Sequence, residues 1–221
     1  MTSFFVTGTD TEVGKTRISV ALIELLQQQG KQVAVMKPIA SGCELTDDGL
    51  RNDDAVQLSQ QADVSLAYEL INPYAFEPAI APHIAAKQAD ENIDLALIKQ
   101  NFDLIQSQAE SVVVEGAGGW LVPLNDHATM ADLAVELSLP VILVVGIRLG
   151  CINHARLTYQ MIESSGVKCA GWLAMCVEPD MLKIEDNIST IKQAIDAPLL
   201  GVLPYSKEAD FKFLAENISF I

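Results

Sequence analysis

The sequence predicts an α/β fold: a doubly wound, mostly parallel sheet with helices on both faces and a phosphate-binding P-loop after its first strand. Three observations carry that expectation. Apolar runs of strand type recur along the chain, and segments of helical period lie between most of them. The first apolar run leads directly into Thr7-Gly8-Thr9-Asp10-Thr11-Glu12-Val13-Gly14-Lys15-Thr16. Strands covered on both faces read as continuous apolar runs rather than alternating ones, and that is the pattern here. At 221 residues the chain is expected to form a single domain, residues 1–221, large enough to bury its core without disulfide or metal staples.

Taken in order, Phe4-Phe5-Val6 is the first strand, and the amphipathic stretch over 18–29 is a helix ending before Gly30. Glycine just past a helix takes the left-handed conformation that closes it, so Gly30, and Gly166 behind the helix over 152–164, are expected caps. Further strands are expected over 33–36, 112–114, 141–145, 169–175 and 199–203. Pro140 and Pro198 stand just before two of these, where a missing N–H does least harm. Helices are expected over 95–108, 130–137, 152–164 and 184–195, where apolar residues recur at helical spacing. No repeat period or low-complexity tract interrupts the alternation.

Gly8 and Gly14 let the loop turn tightly so that its N–H groups point inward, and the following helix adds the positive end of its dipole. Lys15 supplies charge for the outer phosphates, and the Thr16 hydroxyl suits a magnesium ion. Five residues separate Gly8 from Gly14, where the usual loop has four. Ligands of such sheets bind outside the carboxyl ends of the strands, which directs attention to the residues after each run. These are Lys37-Pro38-Ile39-Ala40-Ser41-Gly42, Glu115-Gly116-Ala117-Gly118-Gly119, 146–153, 176–179 and Pro204-Tyr205-Ser206. Lys37 ends an apolar strand that would not tolerate an unpaired charge, so it is expected to face the crevice. There a second ammonium could neutralise a transferring phosphoryl group. Glu115 ends another apolar run, where a carboxylate commonly holds magnesium. Asn52 or Asp53 serves as a helix N-cap, and the residues alone give Asp54 no role. Gly150-Cys151-Ile152-Asn153 opens a helix that either caps itself or offers N–H groups to an anion. Cys151 has no base beside it except His154 and is not read as a nucleophile. His83 and His154 are read as hydrogen-bonded structural residues.

Net charge is −15, with half the residues hydrophobic and a positive mean hydropathy. An acidic protein is not built for nucleic acid or an anionic membrane, so neither is expected as a partner, and an anionic ligand must be caught by local devices. Cys43, Cys151, Cys169 and Cys176 show no Cys-x-x-Cys spacing and read as reduced, structural thiols. The three histidines form no metal pattern. No signal peptide is read at the N-terminus, and no apolar run is long enough to cross a membrane, so a cytoplasmic protein is expected.

The blocks Gly8 to Thr16, Lys37-Pro38-Ile39-Ala40-Ser41-Gly42, Arg51-Asn52-Asp53-Asp54-Ala55, Asn72-Pro73-Tyr74 and Pro82-His83-Ile84 resemble those of one family, in order. So do Val114-Glu115-Gly116-Ala117-Gly118-Gly119, Leu149-Gly150-Cys151-Ile152-Asn153-His154 and Pro198-Leu199-Leu200-Gly201. The chain thus resembles dethiobiotin synthetase over nearly its whole length, and that family's loop has the same five-residue spacing. The resemblance implies a ligase of biotin biosynthesis that uses 7,8-diaminononanoate, CO2 and ATP, with Mg2+. It implies that Thr16, Asp54 and Glu115 hold the magnesium, and that Lys37 stabilises the carbamate and the transferring phosphoryl group. Glu12, Val13, Gly14, Lys15, Thr16 and Arg17, with Asp54, Glu115, Gly116, Ala117 and Gly118, would line the nucleotide. Thr11 and Ser41 would lie near the substrate. It further implies a homodimer whose substrate site borrows Gly150, Cys151, Ile152 and Asn153 from the neighbouring subunit.

One departure stands out. Where the family places an asparagine that reads the adenine edge, this chain has Met175-Cys176, which cannot make the same hydrogen bonds. The base is then held by stacking, by backbone, or near Pro204, Tyr205 and Ser206. Two rivals fit less well. Partitioning ATPases of similar fold carry a further lysine near the start of the loop, absent from Gly8-Thr9-Asp10, and corrinoid amidotransferases need a second domain.

Overall fold

A computed structural model describes residues 3–207 and 210–219. Its central sheet is built from β1 (Phe4–Gly8), β2 (Val33–Met36), β7 (Ser111–Gly119), β8 (Val141–Ile147), β9 (Cys169–Cys176) and β10 (Leu199–Leu203). They lie in the order β10-β9-β8-β1-β7-β2, and every neighbouring pair is parallel. The chain leaves β1 for the edge at β2, returns to β7 beside β1, and then crosses to β8 on the other side. The strand order therefore reverses around β1, which is where such sheets open a ligand crevice.

Side chains alternate between two cores. Phe5, Val112, Val114, Leu143 and Trp172 face α5 (Leu95–Gln106), α6 (Met130–Leu137), α7 (Cys151–Ser164) and α8 (Ile184–Ala194). Val6, Val113, Val144, Leu173 and Met175 face α1 (Lys15–Gln28), α2 (Asp53–Gln61) and α9 (Phe211–Glu216). Burial on both faces is the physical reason the strands read as unbroken apolar runs.

The strands over 33–36 and 199–203 and the helix over 130–137 fall where expected. Two boundaries differ usefully. The first helix begins at Lys15 rather than Ile18, because Gly14, left-handed at φ 87°, is its N-cap and places Lys15 and Thr16 in the first turn. The strand expected over 112–114 runs on to Gly119, so Glu115 to Gly119 are strand, not loop. Glycines allow that extension: β1 shifts register between Val6 and Gly8, and Gly8 pairs with Gly119. Gly30 and Gly166 close their helices at φ 77° and 79°. Trp120, just beyond β7, packs edge-on against Phe5, with ring centroids 6.4 Å apart at 81°.

The crossover from β2 to β7 carries elements with no clear signal in the sequence. These are a parallel pair, β3 (Ile39–Ser41) with β6 (Tyr74–Phe76), and a hairpin, β4 (Glu44–Thr46) with β5 (Gly49–Arg51). Two short helices, α3 (Tyr68–Ile71) and α4 (Pro82–Gln88), complete the excursion. It forms one wall of the crevice.

At the far edge, β10 meets the returning C-terminal segment. Ser219 N–H donates to Leu200 O, and a Cβ on Gly201 would stand 2.1 Å from Asn217 O. Gly201→Ala must push that segment off the sheet. We expect a loss of about 1–3 kcal/mol, the usual cost of overpacking, seen as a lowered midpoint in thermal unfolding.

Candidate active site

The phosphate loop joins β1 to α1 at the centre of the crevice. Glu12 adopts φ 58°, a left-handed conformation rare for a non-glycine residue, and so turns the loop toward Gly14. Lys15 Nζ donates to Asp10 O at 3.0 Å, folding its side chain back over the loop. Asp10 is itself held by an ion pair with Arg148, from the turn after β8. Sequence gives no hint of that pair, which spans 138 positions.

Beneath the loop lies a compact charged cluster. Glu115 is fully buried. Its Oε1 accepts from Lys37 Nζ at 2.6 Å and from Thr16 Oγ1 at 3.0 Å, while Lys37 also reaches Asp54 Oδ2 at 3.2 Å and Gly116 O at 3.3 Å. Lys37 is therefore not merely crevice-facing as its position implied. It is 4% exposed, and its charge is tolerated because two carboxylates and a carbonyl surround it. Burial disfavours the Lys37 ammonium, yet Glu115 and Asp54 outweigh it and hold the pKa above the ordinary lysine value. Burial likewise opposes the charge on Asp54, but Lys37, with a hydrogen bond from Thr16, lowers its pKa. Asp54 gains its place because Asn52 caps α2, accepting from Ala55 N–H at 3.2 Å.

Lys15 behaves oppositely. Burial first, then the Lys37 charge, brings its pKa down to about 8, against the pull of Glu115, Asp54 and Asp10. The sign of the consequence follows from linkage. Above pH 8 a growing fraction of Lys15 is neutral in the free protein, and phosphates bound to it would restore the proton. Affinity for a nucleoside diphosphate is expected to fall by up to about tenfold per pH unit above 8, until the pKa of the bound form is reached. Calorimetric titration with ADP from pH 7 to 9.5 checks this, and Lys15→Met should flatten the dependence.

A cavity of about 680 Å3 opens over the cluster. Thr11, Glu12, Gly14, Lys15, Thr16, Arg17, Lys37, Ser41, Asn52, Asp54, Ala117 and Gly118 line it. An apolar wall of Ala40, Ala79, Ile80, Ala81, Pro82 and Val122 completes it. Of that wall, only Ala40 and Pro82 fell within segments the sequence brought forward. Two buried polar atoms at the site lack a partner among the described residues: Ser41 Oγ and Glu115 Oε2. Buried polar atoms are normally paired. Ser41 lines the cavity, so its Oγ is available to a ligand, whereas Glu115, expected at the nucleotide and the metal, lies beneath the lining of both cavities.

A second cavity, about 380 Å3, adjoins the loop and shares Glu12, Gly14 and Arg17 with the first. Met175, Cys176, Val177, Tyr205, Ser206 and Lys207 enclose its other sides. The Arg17 guanidinium donates to the carbonyls of Ser206 and of Lys207, the latter at 3.1 Å, and so fastens the segment after β10 to α1.

Some expected site residues lie elsewhere. Pro204 lines neither of these cavities. Val13 is buried behind the loop against Gly146, leaving only its backbone for a ligand. Gly116 is likewise off the cavity surface and acts through its carbonyl on Lys37. Gly150, Cys151, Ile152 and Asn153 open α7 outside both cavities, with the Cys151 side chain buried and its thiol near Asn187 at 3.7 Å. His83 was read as hydrogen-bonded, yet its Nδ1 is buried without a partner among the described residues.

The family described as "AAA domain" matches residues 2–212. The ATP-dependent dethiobiotin synthetase BioD of Pseudomonas aeruginosa (strain UCBPP-PA14) is 48% identical over 210 residues, covering 95% of this chain and 92% of the relative. The enzyme of the same name from Xylella fastidiosa (strain M12) is 45% identical over 205 residues, 93% and 91% of the two chains. Among solved structures, the MinC:MinD cell division protein complex of Aquifex aeolicus aligns with a TM-score of 0.59 at 17% identity. That alignment covers 98% of this chain and 87% of that one, and it establishes a shared fold alone.

Proposed function

The chain belongs to the dethiobiotin synthetase family, and from that premise we propose how its residues divide the reaction. The protein is an ATP-dependent dethiobiotin synthetase, a ligase of biotin biosynthesis. It inserts CO2 between the two amines of 7,8-diaminononanoate. One amine adds to CO2 and loses a proton, giving a carbamate. A carbamate oxygen takes the γ-phosphoryl group of ATP, forming a carbamic–phosphoric anhydride and ADP. The second amine attacks the carbamoyl carbon, phosphate leaves, and a proton is released as the cyclic urea closes.

No step needs a protein nucleophile, so the residues contribute position and charge. The observation that supports this division is the convergence of Lys15, Thr16, Lys37 and Ser41 on one cavity directly above buried Glu115. Lys15 and the loop N–H groups hold the nucleotide phosphates. Lys37, its charge secured by its carboxylate neighbours, holds the carbamate and neutralises the transferring phosphoryl group. Ser41 Oγ and Thr11 position the diamine, whose carbon chain lies along the apolar wall at Ala79 to Pro82. Thr16 and Asp54, which line the cavity, with the unpartnered Glu115 Oε2 buried beneath it, would together offer the hard oxygen set that suits a magnesium ion. When bound, that ion would supply charge neutralisation at the β- and γ-phosphate oxygens.

We place Gly150, Cys151, Ile152 and Asn153 in the substrate site of a second copy of the chain. The turn lies outside both of the cavities described above, beside Leu149 at 94% exposure, and its helix N-terminus suits the substrate carboxylate. The assembly is then a homodimer, and we place it in the cytoplasm. Among the described residues no helix is long and apolar enough to cross a membrane.

The decisive experiment measures ADP release and product mass with magnesium, ATP, bicarbonate and diaminononanoate, omitting each in turn. Dethiobiotin formed only with the full set supports the reading. ATP hydrolysis indifferent to the diamine sinks it. For the dimer, mixing Lys37→Ala with Asn153→Ala protein should regain activity that neither has alone. A monomer by light scattering would rule the shared site out.

A further inference from the structure

A nucleotide with its phosphates on the loop must carry its base into the adjoining cavity of about 380 Å3, because the two cavities share Glu12, Gly14 and Arg17. This inference rests on the nucleotide reading of the loop given above. Among the described residues, the lining of the base cavity contains no asparagine or glutamine. A carboxamide presents a donor and an acceptor side by side, the pattern that pairs bidentately with the N6/N7 edge of adenine. The charged side chains in the lining are Glu12, Arg17 and Lys207, none of which places a donor beside an acceptor as a carboxamide does.

The side chains at the far end of the cavity from the loop supply no such pair. Met175 is 3% exposed, and its Cγ would lie 2.8 Å from a Cβ placed on Gly14, so its thioether packs on the loop as an apolar floor. Burial pushes the Cys176 thiol up, which keeps it a neutral, weak donor. Val177 adds only apolar surface. The Arg17 guanidinium is already engaged by the carbonyls of Ser206 and Lys207. Tyr205 offers a hydroxyl that donates or accepts as required, and its ring, 41% exposed, can stack on any base.

We propose that this synthetase recognises the triphosphate and not the base, so that GTP, CTP and UTP serve in place of ATP, with Met175 as the position that makes it so. A bidentate amide contact discriminates by roughly 5–150-fold. Without one, the four triphosphates are expected to fall within about tenfold of one another in kcat/KM.

Two measurements on the full-length protein test this. Dethiobiotin formation is followed with each triphosphate, and ADP, GDP, CDP and UDP are titrated in the absence of diamine. A spread within about tenfold in the titrations supports the proposal, and an ADP preference beyond that overturns it, whether or not ligation is observed. Ligation with ATP alone likewise overturns it. Failure of all four triphosphates to give dethiobiotin, with diphosphates still bound, counts against the ligase reading and leaves base tolerance standing. Met175→Asn should raise the ADP-to-GDP affinity ratio at least about fivefold, while Met175→Leu, which keeps the volume without an amide, leaves it unchanged. An equal ratio in both variants overturns the role assigned to Met175, and thermal melting confirms that each is folded.

Discussion

Lys37→Ala is expected to reduce turnover by at least about 10^2–10^3-fold, the usual consequence of removing one donor aimed at developing transition-state charge. The same change should destabilise the protein, since Glu115 is fully buried and would lose its closest partner at 2.6 Å. Removing one member of a buried pair typically costs about 3–5 kcal/mol, because the other charge is left uncompensated. The two effects separate in a double variant. Lys37→Ala with Glu115→Gln removes both charges, so its melting midpoint should recover toward that of the parent while its turnover stays low. Recovery of both would mean that Lys37 serves the fold alone, and its assignment to the phosphoryl group would be wrong. Stopped-flow measurement of ADP formation beside calorimetry gives both readouts on the same preparation.

Glu115→Gln alone carries the second large effect, and its pattern should differ. Lys37 keeps Asp54 at 3.2 Å, so its ammonium is not wholly abandoned. That carboxylate is 41% exposed, however, and water weakens the remaining pair. The variant loses the buried oxygen assigned to the metal, so its defect should appear as a changed metal requirement. Even outer-shell partners of a bound metal alter affinity about 10–100-fold, and loss of a direct ligand should be at least as severe. Manganese binding in the presence of ADP, followed by electron paramagnetic resonance, reads this without turnover. An unchanged manganese affinity would remove Glu115 from the metal site.

The parts of this structure that were legible in the sequence are those governed by local rules. Continuous apolar runs marked the parallel strands, and glycine spacing with Lys15 and Thr16 marked the loop. Position after a strand brought Lys37 and Glu115 forward before any contact between them was known, although they stand 78 residues apart. The part that stayed hidden depends on distant chain segments meeting. Arg148 on Asp10 and Arg17 on the carbonyls of Ser206 and Lys207 have no local signature. The apolar wall at Ala79 to Pro82 belongs to a segment of short elements, where neither helical nor strand period has room to develop. Asp54 lies between these extremes. Its local chemistry marked it only as a neighbour of a helix cap, the resemblance alone gave it a role, and the cap at Asn52 is what delivers it to Lys37. Gly116 to Gly119 read as a loop because glycine ordinarily punctuates. Here the same residues continue a strand, where close approach to β1 and Phe5 leaves little room for side chains.

The placement of the two tryptophans gives the protein a built-in optical reporter. Both indoles are buried, and neither Nε1 has a hydrogen-bond partner among the described residues. Indoles in such dry surroundings emit at the blue end of their range, so native fluorescence should be blue and unfolding should redden it. The two rings nevertheless report different events. Trp172, on β9 beside the edge strand β10, is 0% exposed in the core and senses only its loss. Trp120 touches Phe5, whose ring lies against Gly116, one residue from the cavity wall at Ala117. With Trp172→Phe, the remaining emission becomes a single-site signal of nucleotide arrival, readable without label, coupling enzyme or turnover.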